Sequence, residues 1–148
     1  MHNSKGFTLI ELMIVVVILA LLATIAIPNF IKIQDRAKEA KVNGGAHTLQ
    51  LAAEDFAVQN DGIYSDQAAD VSVLLPLNTA GNTSLQNAFS GTFVEPQWGA
   101  VAAVPGNIGI QGLVQGGVTV GYTITGFGKD ATRGPNGDGI ILTLTNGQ

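Results

Sequence analysis

The sequence predicts an α+β chain in which one long N-terminal α-helix, membrane-spanning and then amphipathic, packs on a small antiparallel β-sheet. Three observations carry this. An apolar run fills positions 7–27, helix-spaced apolar residues continue to about position 59, and two β-patterned segments lie near the C-terminus.

The apolar run comes first. From Phe7 to Ile27 only Thr8, Glu11 and Thr24 are not apolar, and as a helix at about 1.5 Å per residue the run spans about 30 Å, the depth of a bilayer core. A secretory signal peptide ends in a small-residue cleavage site after its apolar region. Here the small residue, Gly6, precedes the run, and Ala26-Ile27-Pro28 matches such a site poorly. An ordinary membrane anchor is the plain alternative on composition alone.

The helix does not end where the run does. Phe30, Ile33, Ala37, Ala40, Leu49, Ala52 and Phe56 recur at spacings compatible with one helical face, with Lys32, Asp35, Arg36, Lys38 and Glu39 between them. Asn60-Asp61-Gly62 supplies the stop, because Gly62 can take the left-handed conformation at a helix end. A helix from Phe7 to Gln59 would be about 80 Å long and needs partners along most of its side. Pro28 lacks the amide that would bond to the carbonyl of Thr24, so a kink or an opened turn is expected there. Gly44-Gly45 is a second weak point, each glycine costing up to about 1 kcal/mol relative to alanine.

Beyond the helix, residues 63–117 read as short helical turns and loops, with Leu74, Leu75, Leu77, Leu85, Phe89, Phe93, Val94 and Trp98 as core contributors. Val118–Thr125 and Ile140–Thr145 read as strands, and Gly106–Gln111 as a further one. Alternation of Val118, Val120, Tyr122 and Ile124 with threonines predicts one buried face. The resulting organisation is a leader at 1–6, an apolar helix half at 7–30, an amphipathic half at 31–62 and a head at 63–148.

Charge narrows the function classes. The formal net charge is −4 over 148 residues, yet residues 1–41 sum to +2 and the rest to −6. An acidic head repels phosphate backbones, so no direct nucleic-acid binding is predicted for it. There is no cysteine, hence no disulfide, thiolate nucleophile or soft metal ligand. No Ser-His-Asp set, metal-ligand spacing or phosphate loop is readable, so the chain is not expected to be an enzyme.

Lys5-Gly6, Phe7, Thr8-Leu9-Ile10-Glu11 and the later Pro28 together resemble the prepilin signature shared by type IV pilins and the pseudopilins of type II secretion. The resemblance is sharp over residues 5–30, loose to Tyr64 and architectural beyond. It implies cleavage between Gly6 and Phe7 by a membrane prepilin peptidase and N-methylation of Phe7. It implies an inner-membrane precursor, drawn by an assembly platform and its ATPase motor into a homopolymer bundled through the N-terminal helices and displayed outside the cell. Glu11 fits this scheme physically. A carboxylate inside a membrane helix costs about 2 kcal/mol or more and is usually functional; the ammonium freed on Phe7 of an incoming subunit could neutralise it. Alternatively, Glu11 sits at the headgroup boundary, where a helix start favours negative charge. One rule runs against the implied orientation: near the membrane, Lys and Arg number one on the leader side and four on the stem side. The expected function is a major pilin serving adhesion, motility or DNA uptake; a major pseudopilin and a non-polymerising membrane-anchored binding module are the alternatives.

Other signals are weaker. In the glycine-rich loop 126–139, Asp130, Asn136 and Asp138 offer oxygen ligands of the kind calcium takes, as pseudopilin C-terminal loops commonly do, although turn chemistry explains the same residues. No other cofactor is expected. His47, the only histidine left after cleavage, reads as a surface or packing residue, and Asn82-Thr83-Ser84 matches a glycosylation acceptor pattern. Phe7, Phe30 and Phe56 are too widely spaced for a continuous aromatic track. The C-terminal disulfide frequent among pilins is excluded, which leaves Ile140–Thr145 to hold the end down.

Overall fold

The computed structural model describes residues 6–77, 81, 85–93 and 96–146. Helix α1 (Leu9–Gln59) is followed by a short helix α2 (Ala68–Val71), a 3-10 turn (Ser72–Leu74) and four strands: β1 (Gln97–Trp98), β2 (Ile108–Gln115), β3 (Val118–Phe127) and β4 (Ile140–Thr145). The chain divides into two compact units, Met1–Arg36 and Ala37–Gln148.

In the first unit the described residues run from Gly6 through the apolar half of α1 to Arg36. The most apolar 18-residue stretch of this helix has a mean hydropathy of 3.0, and it is long and apolar enough to cross a membrane. Its large side chains, from Leu9 to Ile33, are exposed. Helical structure is unbroken through Pro28. Thr24, four residues earlier, turns its hydroxyl back to the carbonyl of Ala20 at 2.9 Å, which keeps this polar group satisfied within an apolar stretch.

The second unit is a helix packed on a sheet. The sheet runs in the order β1-β2-β3-β4, parallel between β1 and β2 and antiparallel elsewhere. Gly116 and Gly117, with φ of 62° and 85°, form the two-residue turn joining β2 to β3, a conformation that glycine adopts without steric cost. Toward the sheet, α1 turns Val42, Ala46, Leu49, Ala53 and Ala57, spaced by three or four residues, all buried. Opposite them lie Ile108, Ile110, Tyr122 and Ile124, with Val71, Leu75 and Leu85 closing the core. Each large side chain buried here contributes about 1.5–3 kcal/mol. The small residues on α1 let helix and sheet approach closely. A Cβ at Gly45 would stand 2.6 Å from Ile108 Cδ1 and 3.3 Å from Leu85 Cδ2, inside contact distance.

The helix stop forms at the expected place with one more residue involved. Asp61 as well as Gly62 is left-handed, with φ of 54° and 84°. The Gly62 amide then bonds to the Ala57 carbonyl at 2.8 Å, and Asn60 Nδ2 donates to the Phe56 carbonyl at 2.8 Å. Two carbonyls that would end the helix unpaired are thereby satisfied.

Strands at 118–127, 140–145 and 108–115 match the three read from sequence; the two-residue β1 was not foreseen. Leu75 and Leu85 are buried, and Leu74, Phe89 and Trp98 partly so. Leu77 and Phe93 are instead exposed, because they lie outside the four strands, Phe93 in an isolated bridge with Gln86. Val94, the triplet 82–84 and residues 1–5, on which most of the expected leader falls, lie outside the described residues. The buried helix face also differs from expectation. Leu49 and Ala52 are on it, but Phe30, Ile33, Ala37 and Ala40 are exposed, since the sheet is met only from Val42 onward. Thr125, assigned to the outer face, is buried where the Ala102 amide donates to its hydroxyl at 2.8 Å.

The two helical glycines are predicted to behave differently. Gly44 has open space around it, so Gly44→Ala should raise stability by about 1 kcal/mol through helix propensity alone. Gly45→Ala must displace Ile108 and should gain clearly less. Denaturant midpoints of the two variants in detergent check this.

Candidate functional site

The N-terminal site is built by the first turn of α1. Gly6, Phe7 and Thr8 are non-helical and exposed, and the helix begins at Leu9. An ideal Cβ at Gly6 would have no neighbour within 4 Å, and Phe7 is 72 % exposed, so this peptide bond is sterically open. Thr8 caps the helix. Its Oγ1 accepts a hydrogen bond from the Glu11 amide at 3.3 Å. In return Glu11 Oε2 accepts from the Thr8 amide at 2.9 Å and from the Thr8 hydroxyl at 2.7 Å. This reciprocal arrangement is a capping box.

The box changes the meaning of Glu11. Its carboxylate is held in place by two donors on Thr8 that carry no formal charge. Both donate to Oε2, while Oε1 accepts no hydrogen bond among the described residues. Among the described residues the carboxylate is thus oriented but not neutralised, one helical turn from the nitrogen of Phe7. Thr8 is the residue that sequence reasoning missed, although the pattern Thr-x-x-Glu ahead of an apolar run signals it.

In the second unit the other candidate residues are spread out. His47 is exposed on α1, with Nδ1 3.2 Å from Gln50 Oε1. Asp130 Oδ1 accepts from the Thr132 amide at 2.9 Å and hydroxyl at 2.5 Å, and these bonds hold its carboxyl below the usual range. Asp138 Oδ1 accepts from the Ile140 amide at 3.0 Å. Both aspartates therefore do turn work at opposite ends of a loop that also bonds to itself, Gly139 N to Arg133 O and Gly128 N to Gly139 O, each at 2.8 Å. Among the described residues no three His, Cys, Asp or Glu side chains group as a metal site would require. Arg133 ties the loop to α1 through Glu39 at 3.3 Å.

A second carboxylate on α1 has the opposite character. Glu54 Oε1 accepts from the Tyr122 hydroxyl at 2.6 Å and Oε2 from the Tyr64 hydroxyl at 3.0 Å, while Gln50 Nε2 donates to the Tyr122 oxygen at 3.1 Å. The two tyrosine rings meet edge to face at 5.3 Å. Burial, then the adjacent Glu54, push the Tyr122 hydroxyl up to about 12. Sequence reading had no signal for this node, whose members lie on α1, after it and on β3.

Comparison with known proteins agrees with the geometry. Residues 1–27 match the family model of the prokaryotic N-terminal methylation motif. The chain is 48 % identical over 69 residues to the type IV major pilin protein PilA of Myxococcus xanthus, covering 47 % of this chain and 31 % of that protein. It is 39 % identical over 83 residues to the type IV wide pilus major component PilA4 of Thermus thermophilus, covering 56 % and 63 %. With the type II secretion system core protein G of Vibrio cholerae it shares 29 % over 101 residues, covering 67 % and 68 %. No solved structure matches. The two pilus relatives are spanned over less than two thirds of their own length. A methylation motif, a capped apolar helix and a helix-on-sheet head define the pilin class of filament proteins. The motif match and these similarities support the type IV pilin family, with the type II secretion core protein G among the proteins this chain is similar to.

The Tyr122 node predicts an alkaline limit. In the folded chain Tyr122 keeps its proton to about pH 12, whereas an unfolded tyrosine releases it near 10. Its contribution is therefore complete below pH 10 and lost as pH rises through 10 to 12. Melting temperatures across this window should fall, and Tyr122→Phe should flatten the fall while lowering stability near neutrality by about 1–3 kcal/mol.

Proposed function

We propose that this chain is the major structural subunit of a type IV pilus-like filament. It is made as an inner-membrane precursor, cut between Gly6 and Phe7 by a prepilin peptidase and methylated on the freed Phe7 amine. An assembly platform and its ATPase then draw it into a homopolymer outside the cell, where the filament serves adhesion, motility or DNA uptake. The observation that carries this reading is Glu11, oriented by Thr8 and without a cationic partner among the described residues, at the start of a helix whose large apolar side chains are exposed.

The steps follow from these residues. An exposed Gly6-Phe7 bond admits the peptidase. Cleavage turns the Phe7 nitrogen into an ammonium, which methylation leaves positively charged. In a packed bundle the ammonium of one subunit reaches the free Oε1 of a neighbour's Glu11, and the pair replaces a costly lone charge in apolar surroundings. Register is fixed because a shifted helix leaves both charges unpaired. The exposed Leu, Ile and Val side chains of 9–33 bury against the same helices of neighbours. Pro28, lacking an amide, is where this bundle allows the helix to open or bend.

A second reading, a major pseudopilin, is favoured by one observation. The match to the Vibrio core protein G covers a larger share of both chains than either pilus match does. On this reading Asp130, Asn136 and Asp138 would hold calcium.

Electron microscopy of sheared cells with mass spectrometry of the filament N-terminus tests the leading proposal. Long filaments whose subunit begins with N-methylated Phe7 are expected; an uncut Gly6-Phe7 bond would favour the non-polymerising anchor. Glu11→Ala should be processed and stable yet reduce filament yield at least about tenfold, the factor that 1.4 kcal/mol per contact sets. A chelator that lowers the melting temperature would move the assignment toward the pseudopilin.

A further inference from the structure

The geometry points to a self-modification site at Asn136-Gly137, where the chain converts asparagine to aspartate and isoaspartate without any enzyme. Two Asn-Gly pairs have both residues described, Asn43-Gly44 and Asn136-Gly137, and the fold treats them in opposite ways.

The reaction needs the backbone nitrogen after the asparagine to attack the side-chain carbon. The Gly137 nitrogen forms a bond to Asn136 Cγ, the Cγ–Nδ2 bond breaks, and ammonia leaves with the proton lost by the attacking amide. Water then opens the five-membered imide at either carbonyl, giving aspartate or isoaspartate. No oxidant or reductant is involved. Attack requires an accessible amide, freedom of the backbone between the two residues and no bulk at the following Cα.

Asn136 meets these conditions. It and Gly137 are exposed, and its side chain makes no hydrogen bond among the described residues. The Gly137 amide has only a long 3.4 Å bond to the Gly134 carbonyl, and Gly137 has φ of 67° with no neighbour within 4 Å of its Cβ position. Asn43 does not meet them. It lies within α1, half-buried, with Oδ1 enclosed. Its following amide is committed to a helical hydrogen bond, so attack there first requires local opening of the helix.

The conversion changes the loop's charge. Lys129 and Arg133 formally balance Asp130 and Asp138; a third carboxylate at 136 takes the sum to −1. It also raises the acidic side chains of the loop from two to three, close in sequence to the Arg133 that binds Glu39. The inference stands whether or not the chain polymerises.

Peptide mass spectrometry of the full-length protein, aged in detergent at mildly alkaline pH, tests it beside a denatured sample. In the folded protein the 136–137 peptide should gain about 1 Da, as an aspartate and isoaspartate pair. It should do so about tenfold or more faster than the 43–44 peptide. In the denatured sample the two rates should converge. Gly137→Ala should slow the reaction at 136. Comparable rates at both sites in the folded protein, no gain at 136, or the same ratio in both samples would overturn the inference.

Discussion

A carboxylate held in an apolar helix, with no cation beside it among the described residues, is the constraint on which the N-terminal unit depends. Glu11 is oriented by the capping box but not neutralised by it, because both Thr8 donors are neutral and both use Oε2. The aliphatic surface following it is exposed as well. A chain with these two deficits can be soluble in a bilayer, where the headgroup region accommodates the charge and the tails the side chains. Packed against copies of itself, it meets both deficits at once only if each copy brings a cation at the matching height. On the proposed reading, removal of a leader at Gly6 creates that cation.

Glu54 shows how the same residue type behaves when its partners are built in. Both of its oxygens accept from tyrosine hydroxyls, one of them fully buried, and the tyrosines come from β3 and from the segment after the helix. This arrangement links α1 to the sheet, and to the segment after the helix, by part-buried hydrogen bonds. Around it the alanines at 46, 52, 53 and 57 and Gly45 bring sheet and helix into close contact. A protein without cysteine thus fastens its head by close packing and a partly buried polar node, and β4 is fastened along β3 by antiparallel pairing from Thr145 to Ile140. The helix serves two different tasks along its length, one set of contacts being internal to the head and the other left open.

The features legible in sequence were those set by local chemistry. The apolar run, the stop at Asn60-Asp61-Gly62 and the strands at 118 and 140 depend on nearest neighbours, and each is found in place. The N-terminal methylation motif was legible because its residues are contiguous. The capping role of Thr8 is legible in principle, since the Thr-x-x-Glu spacing is itself the capping signal. The buried face of α1 was not legible. Alanine is nearly neutral in a hydropathy pattern, so Ala46, Ala53 and Ala57 gave less signal than exposed Phe30 and Ile33, and only the position of the sheet decides which alanines are covered. The Glu54 node joins residues ten and sixty-eight positions apart, and no local rule connects them.

The central claim is that the Glu11 carboxylate gains an ammonium partner from a second subunit when filaments form. Solid-state NMR on filaments assembled from a mixture of two subunit populations, one labelled with nitrogen-15 at Phe7 and the other with carbon-13 at the Glu11 carboxylate, measures this directly. The account predicts a strong intermolecular coupling, corresponding to a separation of about 3–4 Å. Filaments in which the labelled Glu11 carboxylate shows no coupling to a neighbour's Phe7 nitrogen would contradict it.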